Sequence, residues 1–127
     1  MNVEQLKNHC AGFTNSEVVD AEYPANLLSY NIGQKKFAYF KTSPPERWRF
    51  SIRVTAERFL ELTDQQGIQP AKYLHRFHWV TIINVNRVDE GYLKELVECS
   101  YQQALASLSK KRQRQLQYSE AVISGIQ

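Results

Sequence analysis

The chain has 127 residues, which is close to the commonest size of one domain and too short for two ordinary ones. Hydrophobic residues make up 43% and charged residues 23%, which favours a folded domain over a disordered chain, and no apolar stretch approaches the ~18 residues of a membrane span. The net charge of +3 is below that of a dedicated nucleic-acid-binding domain, but the positive charge is concentrated in residues 31–58 and 109–127.

The two cysteines, Cys10 and Cys99, fall in helix-like stretches at apolar positions, where a free thiol behaves as a small hydrophobic side chain. Met1 is followed by Asn-Val-Glu-Gln, whereas a secretory signal would show a basic segment and an apolar run. We therefore expect a cytoplasmic protein with reduced cysteines, since disulfides belong to secreted proteins.

The first half of the chain predicts one helix followed by strands. A helix is expected over residues 2–13, because apolar side chains recur at spacings of three and four and Asn2 resembles the start of a capping box. Residues 14–25 contain acids and a proline and are interpreted as a loop. Residues 27–32 alternate in polarity and residues 36–42 are rich in aromatics, which predicts a β-hairpin.

The clearest predicted strand spans residues 47–54, where polarity alternates without exception. One face of this strand would be core and the other solvated. The core face would carry Trp48, Phe50, Ile52 and Val54, and the solvated face Arg47, Arg49, Ser51 and Arg53.

The second half predicts a short helix over residues 56–64, a helical turn started by Pro70, a strand over 77–85 and a long helix capped by Asp89 that continues towards Leu116. No βαβαβ rhythm is present, so a parallel doubly wound sheet is not expected. The predicted fold is α+β with two layers: an antiparallel sheet, an N-terminal helix, a short middle helix and a long C-terminal helix. Residues 1–116 would form a single domain, and residues 117–127 a frayed tail.

Five segments, in this order, resemble the MmcQ/YjbR-like family. They are IGQKKFA at 32–38, IRV at 52–54, GIQPAKYL at 67–74, HWV at 78–80 and SY at 100–101. The resemblance covers residues 1–116 and departs in the Pro-Pro and Arg-Trp-Arg stretch at 43–49 and in the tail. It implies a compact α+β fold that has been likened to a double-wing DNA-binding arrangement or to a secretion-chaperone topology. It implies no established enzyme activity, and a DNA-binding label taken from a fold is an analogy.

Basic residues on the predicted hairpin and strand are the candidate binding residues. Arginines at alternate strand positions lie ~7 Å apart, and guanidinium groups bind phosphate bidentately. A solvated face whose charges prevent edge pairing is the competing interpretation. A second basic group lies among aromatics near residue 75. The candidate nucleic-acid-binding residues are Lys35, Lys36, Lys41, Arg47, Arg49, Arg53, Lys72 and Arg76.

No catalytic motif, cofactor or metal site is predicted. His75 and His78 lack the further ligands that zinc requires, and a Cys99–His nucleophilic pair would depend on tertiary contacts that the sequence does not reveal. Three functions remain open: a non-catalytic DNA-binding module, a protein-interaction or chaperone-like module, either monomeric or dimeric, and a small-molecule binder with a pocket near His78, Tyr101 or Cys99. The basic cluster at 110–114 would add to a nucleic-acid footprint or complement the helix dipole.

Overall fold

Six strands form one antiparallel sheet in the order β1-β2-β3-β4-β6-β5 in the computed structural model, which describes residues 1–116. The predicted α+β class and its three helices are confirmed. The predicted tail, residues 117–127, lies outside the described residues. The elements are α1 (Val3–Ala11), β1 (Ser16–Ala21), β2 (Leu27–Ile32), β3 (Lys35–Lys41), β4 (Phe50–Arg53), α2 (Ala56–Thr63), β5 (Ile68–Pro70), β6 (Trp79–Ile82) and α3 (Glu90–Ala106), with 3₁₀ turns at His75–Phe77 and Val85–Arg87.

Side-chain caps start all three helices, as the sequence indicates. The Asn2 side chain accepts the N–H of Gln5 at 2.8 Å, and the Gln5 side chain accepts the N–H of Asn2 at 2.9 Å, which completes the capping box. Thr55 caps α2, and Asp89 caps α3 by accepting the N–H of Tyr92 at 3.0 Å. These caps satisfy N–H groups that would otherwise lack partners.

The three helices cover one side of the sheet, which we call the first face. Side chains from α1, α2 and α3 join the inward side chains of the strands in one apolar cluster. At its centre lie the rings of Phe37, Phe40 and Phe50, all fully buried. The alternation predicted for β2 and for residues 50–54 is confirmed, since Tyr30, Ile32, Phe50, Ile52 and Val54 all belong to this cluster.

A β-bulge decides which side chains of β3 face the helices. The β2–β3 register shifts between Tyr30 and Asn31, which pair with Ala38 and Lys36, so Phe37 is the extra residue. Both Phe37 and Ala38 are therefore in the first-face cluster. Lys36 and Tyr39 lie on the other side of the sheet, which we call the second face, and the Lys36 Nζ is 5.3 Å from the centroid of the Tyr39 ring.

The turn between β2 and β3 requires glycine for two reasons. Gly33 has φ +54°, and a Cβ there would lie 2.8 Å from Leu108 Cδ1. The same Cβ would lie 3.5 Å from Arg112 Nε, so the segment after α3 packs beside the hairpin. The predicted continuation of α3 is wrong, because α3 ends at Ala106 and a separate helical segment spans 110–116.

Three further local predictions are wrong. Residues 16–21 form the edge strand β1 and not a loop; its residues are mostly exposed on both faces, so no polarity period marks it. Pro70 ends β5 instead of starting a helical turn, which suits proline at the end of an edge strand. The strand predicted at 47–54 begins only at Phe50, because residues 47 and 48 form a turn in which Trp48 has φ +67°.

Candidate functional site: a groove over the second face

A row of polar side chains crosses the second face of the sheet at one level. The register places Ser29 opposite Tyr39, Tyr39 opposite Ser51, Ser51 opposite Thr81, and Thr81 opposite Gln69. The row therefore spans five neighbouring strands, β2, β3, β4, β6 and β5. All of these residues except Gln69 are buried, although they are polar and face away from the helices.

A short segment after β5 covers part of this face. Ala71 and Leu74 pack with Tyr39, Trp79 and Leu27 in a second, smaller apolar cluster. The backbone N–H of Ala71 donates to the Trp79 carbonyl at 2.9 Å, which holds the start of the segment against β6. The second face is thus not the solvated face that the alternation of residues 47–54 predicted: Ser51 is only 1% exposed.

A groove of about 430 Å³ remains between this covering segment, residues 71–74, and the β1–β2 and β3–β4 loops. Its floor is formed by the side chains of the sheet, and its walls come from the β1–β2 loop, the β3–β4 loop and the covering segment. The floor residues are Leu27, Tyr39, Lys41, Ser51, Gln69 and Thr81, and the wall residues are Pro24, Ala25, Glu46, Lys72, Tyr73 and Leu74.

Hydroxyl groups dominate the floor. The Ser51 and Thr81 hydroxyl oxygens are 2.7 Å apart, so one hydroxyl donates to the other. Burial raises the pKa of Tyr39, an effect that its hydrogen bond with Ser51 opposes and the nearby Glu46 carboxylate reinforces. Burial and the Glu46 carboxylate therefore both oppose loss of the Tyr39 proton.

Two lysines and one glutamate provide the charges of the groove. Lys41 Nζ donates a long hydrogen bond, 3.4 Å, to the carbonyl of Ala25 in the opposite wall. Lys72 Nζ lies 5.3 Å from the centroid of the neighbouring Tyr73 ring. Glu46 is the acidic lining residue, and no ion pair within 4.0 Å joins it to either lysine among residues 1–116.

Tyr73 stands at the mouth of the groove in a strained conformation. Its φ is +69°, a region that aromatic residues rarely adopt, and its side chain is 79% exposed. Burial of the ring does not offset this strain, because the ring is largely in solvent. Strained residues of this kind concentrate at ligand-binding sites, where the surrounding structure holds them in place.

The structure brings together only part of the predicted basic set. Lys41 and Lys72 line the groove, and Lys36 lies over Tyr39 on the same face. Arg53 ends β4 opposite Trp79, in the same alternation as Ser51. Cations from separate predicted groups thus meet on the second face.

The remaining four basic residues lie apart from the groove lining. Arg47 packs on Trp48, with its guanidinium 5.0 Å from the ring centroid, and the Arg49 carbonyl accepts the N–H of Lys41 at 3.0 Å. Arg76 lies over its neighbour Phe77, and Lys35 is exposed at the hairpin end. The predicted strip of three arginines on one straight strand is therefore wrong, because Arg47 and Arg49 precede β4.

Sequence reasoning missed the polar floor of the groove. The alternation of residues 47–54 predicts a solvated environment for Ser51, and no local pattern distinguishes Thr81 or Gln69. A hydroxyl residue within an otherwise arginine-bearing alternation was the available signal, but its significance depends on the cross-strand partners of Ser51. The small-molecule hypothesis named His78, Tyr101 and Cys99, and none of them lines this groove.

Several residues of the family-like segments have structural roles instead. The Ser100 hydroxyl donates to the Phe37 carbonyl at 2.6 Å and accepts the Arg53 N–H at 3.1 Å, so it bridges β3 and β4 at the bulge. The Tyr101 hydroxyl donates to the Thr14 carbonyl at 2.8 Å. His78 has φ +66° at the turn into β6, and its ring meets Phe59 at 5.7 Å.

Across residues 1–116, no three or more His, Cys, Asp or Glu side chains are grouped so that they could hold a metal ion. No helix in the same range combines the length and the apolar character that crossing a bilayer requires.

Comparisons with known proteins identify relatives of this fold. A crystal structure of Deinococcus radiodurans protein DR2400, with a domain of the DUF419 family model, is 26% identical, with a TM-score of 0.77 over 91% of this chain and 87% of that one. A crystal structure of a protein from Pseudomonas syringae is 17% identical, with a TM-score of 0.65 over 82% of this chain and 99% of that one, which shows a shared fold. No curated protein matches the sequence significantly. The YjbR family model matches residues 14–103, most of the chain, and this protein therefore belongs to the YjbR family.

Proposed function

We propose that this protein is a non-catalytic DNA-binding module that contacts phosphates through the cations of its second face and hairpin. One observation carries the proposal. None of the eight predicted binding residues forms an ion pair with an acid, because the ion pairs among residues 1–116 join Lys7 to Glu4, Arg58 to Glu95 and Lys94 to Glu90. Their charges are therefore available to an anionic partner.

The distribution of these cations supports contact along a backbone. Lys36 and Lys41 lie at opposite ends of β3, about 16 Å apart at ~3.3 Å per residue, and Lys72 and Arg53 flank the same face. At the hairpin end, Lys35 is exposed and Arg112 packs beside Gly33, so the basic cluster at 110–114 adds positive charge there. Contacts of this kind fix position on the nucleic acid and do not read its sequence.

Fluorescence anisotropy with labelled duplex and single-stranded oligonucleotides tests the proposal. We expect sequence-tolerant binding with a Kd of about 10⁻⁴–10⁻⁶ M at physiological salt, and the affinity should fall steeply as salt rises. Absence of binding at tens of micromolar protein in low salt would overturn the proposal.

A charge-matched pair of variants locates the contact. Lys36→Gln/Lys41→Gln should weaken binding and reduce the slope of log K against log salt by about 1–2. Arg87→Gln/Lys94→Gln removes the same net charge, but it lies outside the predicted set and should leave the slope unchanged. Equal losses in both variants would show that only the net charge matters, and would overturn the assignment to the second face.

A protein-interaction role is the alternative, and the outer edge of β1 favours it. β1 ends the sheet, and its Val18 and Val19 are exposed, so the edge could accept a further strand. Glu17 and Asp20 on the same strand oppose pairing with another acidic edge. Light scattering in high salt, which screens the repulsion between the acids of two β1 edges, tests self-association: a dimer that Val19→Lys abolishes would favour this role over DNA binding, and a monomer at all concentrations would exclude self-association.

A further inference from the structure

We propose that the groove over the second face binds one nucleotide unit, with its planar ring stacked on Tyr73 above the polar floor and its phosphate at Lys41 and Lys72. This proposal goes beyond contact with a DNA backbone, because it requires the cavity and not only the surface charge. It holds whether the nucleotide is free or is an unstacked unit of a single strand, and the test below separates these two sources.

The size and chemistry of the groove fit such a ligand. Its volume of about 430 Å³ lies within the range of ~300–1,000 Å³ that is usual for small-molecule sites. Apolar and aromatic walls with a few polar groups at fixed positions are also typical of such sites. The lining combines four features: aromatic rings, a hydroxyl and amide floor, two lysines and one carboxylate.

The two lysines of the groove favour a ligand with a compact anionic group. Lys41 and Lys72 come from different elements, and neither pairs with an acid within 4.0 Å among the described residues. Lysine binds phosphate as a point charge, so two lysines facing one cavity suit a single phosphate. Glu46, in the same lining, repels a second anionic group but can accept a hydrogen bond from a sugar hydroxyl.

The exposed Tyr73 ring favours a ligand that contains a planar ring. Tyr73 is held at the mouth with its ring in solvent, so a ligand ring can stack on it without displacing a core contact. Tyr39 in the floor is only 6% exposed and its ring packs against Trp79 at 5.6 Å, so it supports the floor and does not offer a free face for stacking. A base stacked on Tyr73 would be recognised by its flat face, which every base has.

The floor adds hydrogen bonds to the edge of that ring. The Ser51 and Thr81 hydroxyls and the Gln69 amide lie in one cross-strand row, and together they offer both donors and acceptors. Simple aromatic carboxylates or inorganic phosphate would leave some of these groups unused. A nucleotide uses the Tyr73 ring, the polar row and the lysines at the same time.

Backbone-amide NMR of the full chain, titrated with AMP, UMP, adenosine and inorganic phosphate, tests the proposal. We expect both mononucleotides to shift the amides of Tyr39, Gln69 and Thr81 with sub-millimolar affinity. Adenosine and phosphate should each bind at least about tenfold more weakly, because each lacks one half of the ligand. The proposal is overturned if millimolar AMP shifts no amide of the groove, or if phosphate binds as tightly as AMP.

Matched variants separate the groove from general charge effects. Tyr73→Ala and Lys72→Gln should each weaken AMP about tenfold, since one removes a stacking partner and the other a phosphate contact. Lys94→Gln removes an exposed charge on α3 and should leave AMP binding unchanged. Equal affinities for all three variants would overturn the site.

Short single-stranded oligonucleotides identify the source of the nucleotide. If the oligonucleotides shift the same amides and bind with higher affinity than AMP, the site serves a single strand. If AMP binds with the same affinity as the oligonucleotides, the site serves a free nucleotide. The result also separates this inference from the proposed function. Oligonucleotide binding that shifts no amide of the groove overturns the nucleotide site and leaves DNA binding in place. AMP binding in the groove without duplex or oligonucleotide binding supports the nucleotide site and overturns DNA binding.

Discussion

The two faces of the sheet are both largely buried, but they are built from different chemistry. The first face is a continuous apolar surface under three helices. The second face carries a row of hydroxyl and amide side chains under one short segment, and its apolar cluster is small. Burial therefore does not by itself mark the core of this protein: the first face contributes most of the hydrophobic stabilisation, and the second provides a cavity with hydrogen-bonding groups.

The first way to test this contrast is to truncate one large side chain on each face. Phe37→Ala should cost about 3–5 kcal/mol in the free energy of unfolding, because the ring is fully buried against Phe13 and Tyr101. Leu27→Ala on the second face should cost less than half as much, because Leu27 is only partly buried. Urea unfolding with a common m-value measures both, and equal costs would contradict the contrast.

The next largest effect on the free energy of unfolding is expected at Ser100, whose hydroxyl bridges β3 and β4 at the bulge. Ser100→Ala should cost about 1–3 kcal/mol, because the Phe37 carbonyl and the Arg53 N–H would both lose their partner in a buried site. Ser107→Ala is the matched control: its hydroxyl bonds only to the Ala104 carbonyl of its own helix, and it is exposed. If both variants unfold at the same urea concentration, the bridge does not stabilise the first face.

Much of the first face could be predicted from the sequence, because its signals are local. Alternating polarity assigns Ile52 and Tyr30 to the buried face of the sheet, and capping residues mark the helix starts at Asn2 and Asp89. The bulge at Phe37 could not be predicted, since it depends on how β2 and β3 pair.

The second face could not be predicted, because its signals are non-local. The polar row exists only through the register of five strands, and each member is an unremarkable Ser, Thr, Tyr or Gln in its own segment. Ser51 is buried because residues 71–74, far along the chain, fold across the sheet. Local alternation therefore assigned Ser51 to the correct face, but it predicted the wrong environment for that face.

A double-mutant cycle tests whether the hydroxyl row contributes to stability. Thr81→Val and Ser51→Ala should each cost about 1 kcal/mol, because each leaves one hydroxyl without the partner at 2.7 Å. The double variant should cost less than the sum, since removing both members of the Ser51–Thr81 pair leaves neither of these two hydroxyls orphaned. Thermal or urea unfolding of the four proteins measures the coupling, and strict additivity would show that Tyr39 or groove water replaces the lost bond.

The smallest effect that we expect is a pH dependence on the helix side of the sheet, at His9 of α1. Burial lowers the pKa of His9 from its ordinary value of 6.5; the charge of Lys94 lowers it further, and Glu98 and Glu90 oppose this. Its Nε2 is buried and has no hydrogen-bond partner among the described residues. Below pH 6.5 the unfolded chain therefore binds more protons than the folded one, so stability is full above this pH and falls as the pH decreases.

The His9→Gln variant isolates this contribution, because the carboxylates titrate alike in both proteins. The wild type should lose more stability than the variant between about pH 8 and pH 5.5, as measured by urea unfolding at each pH. If the variant retains the wild-type slope, His9 is not the source of the pH sensitivity, and its burial in α1 does not make the helix side of the sheet dependent on pH.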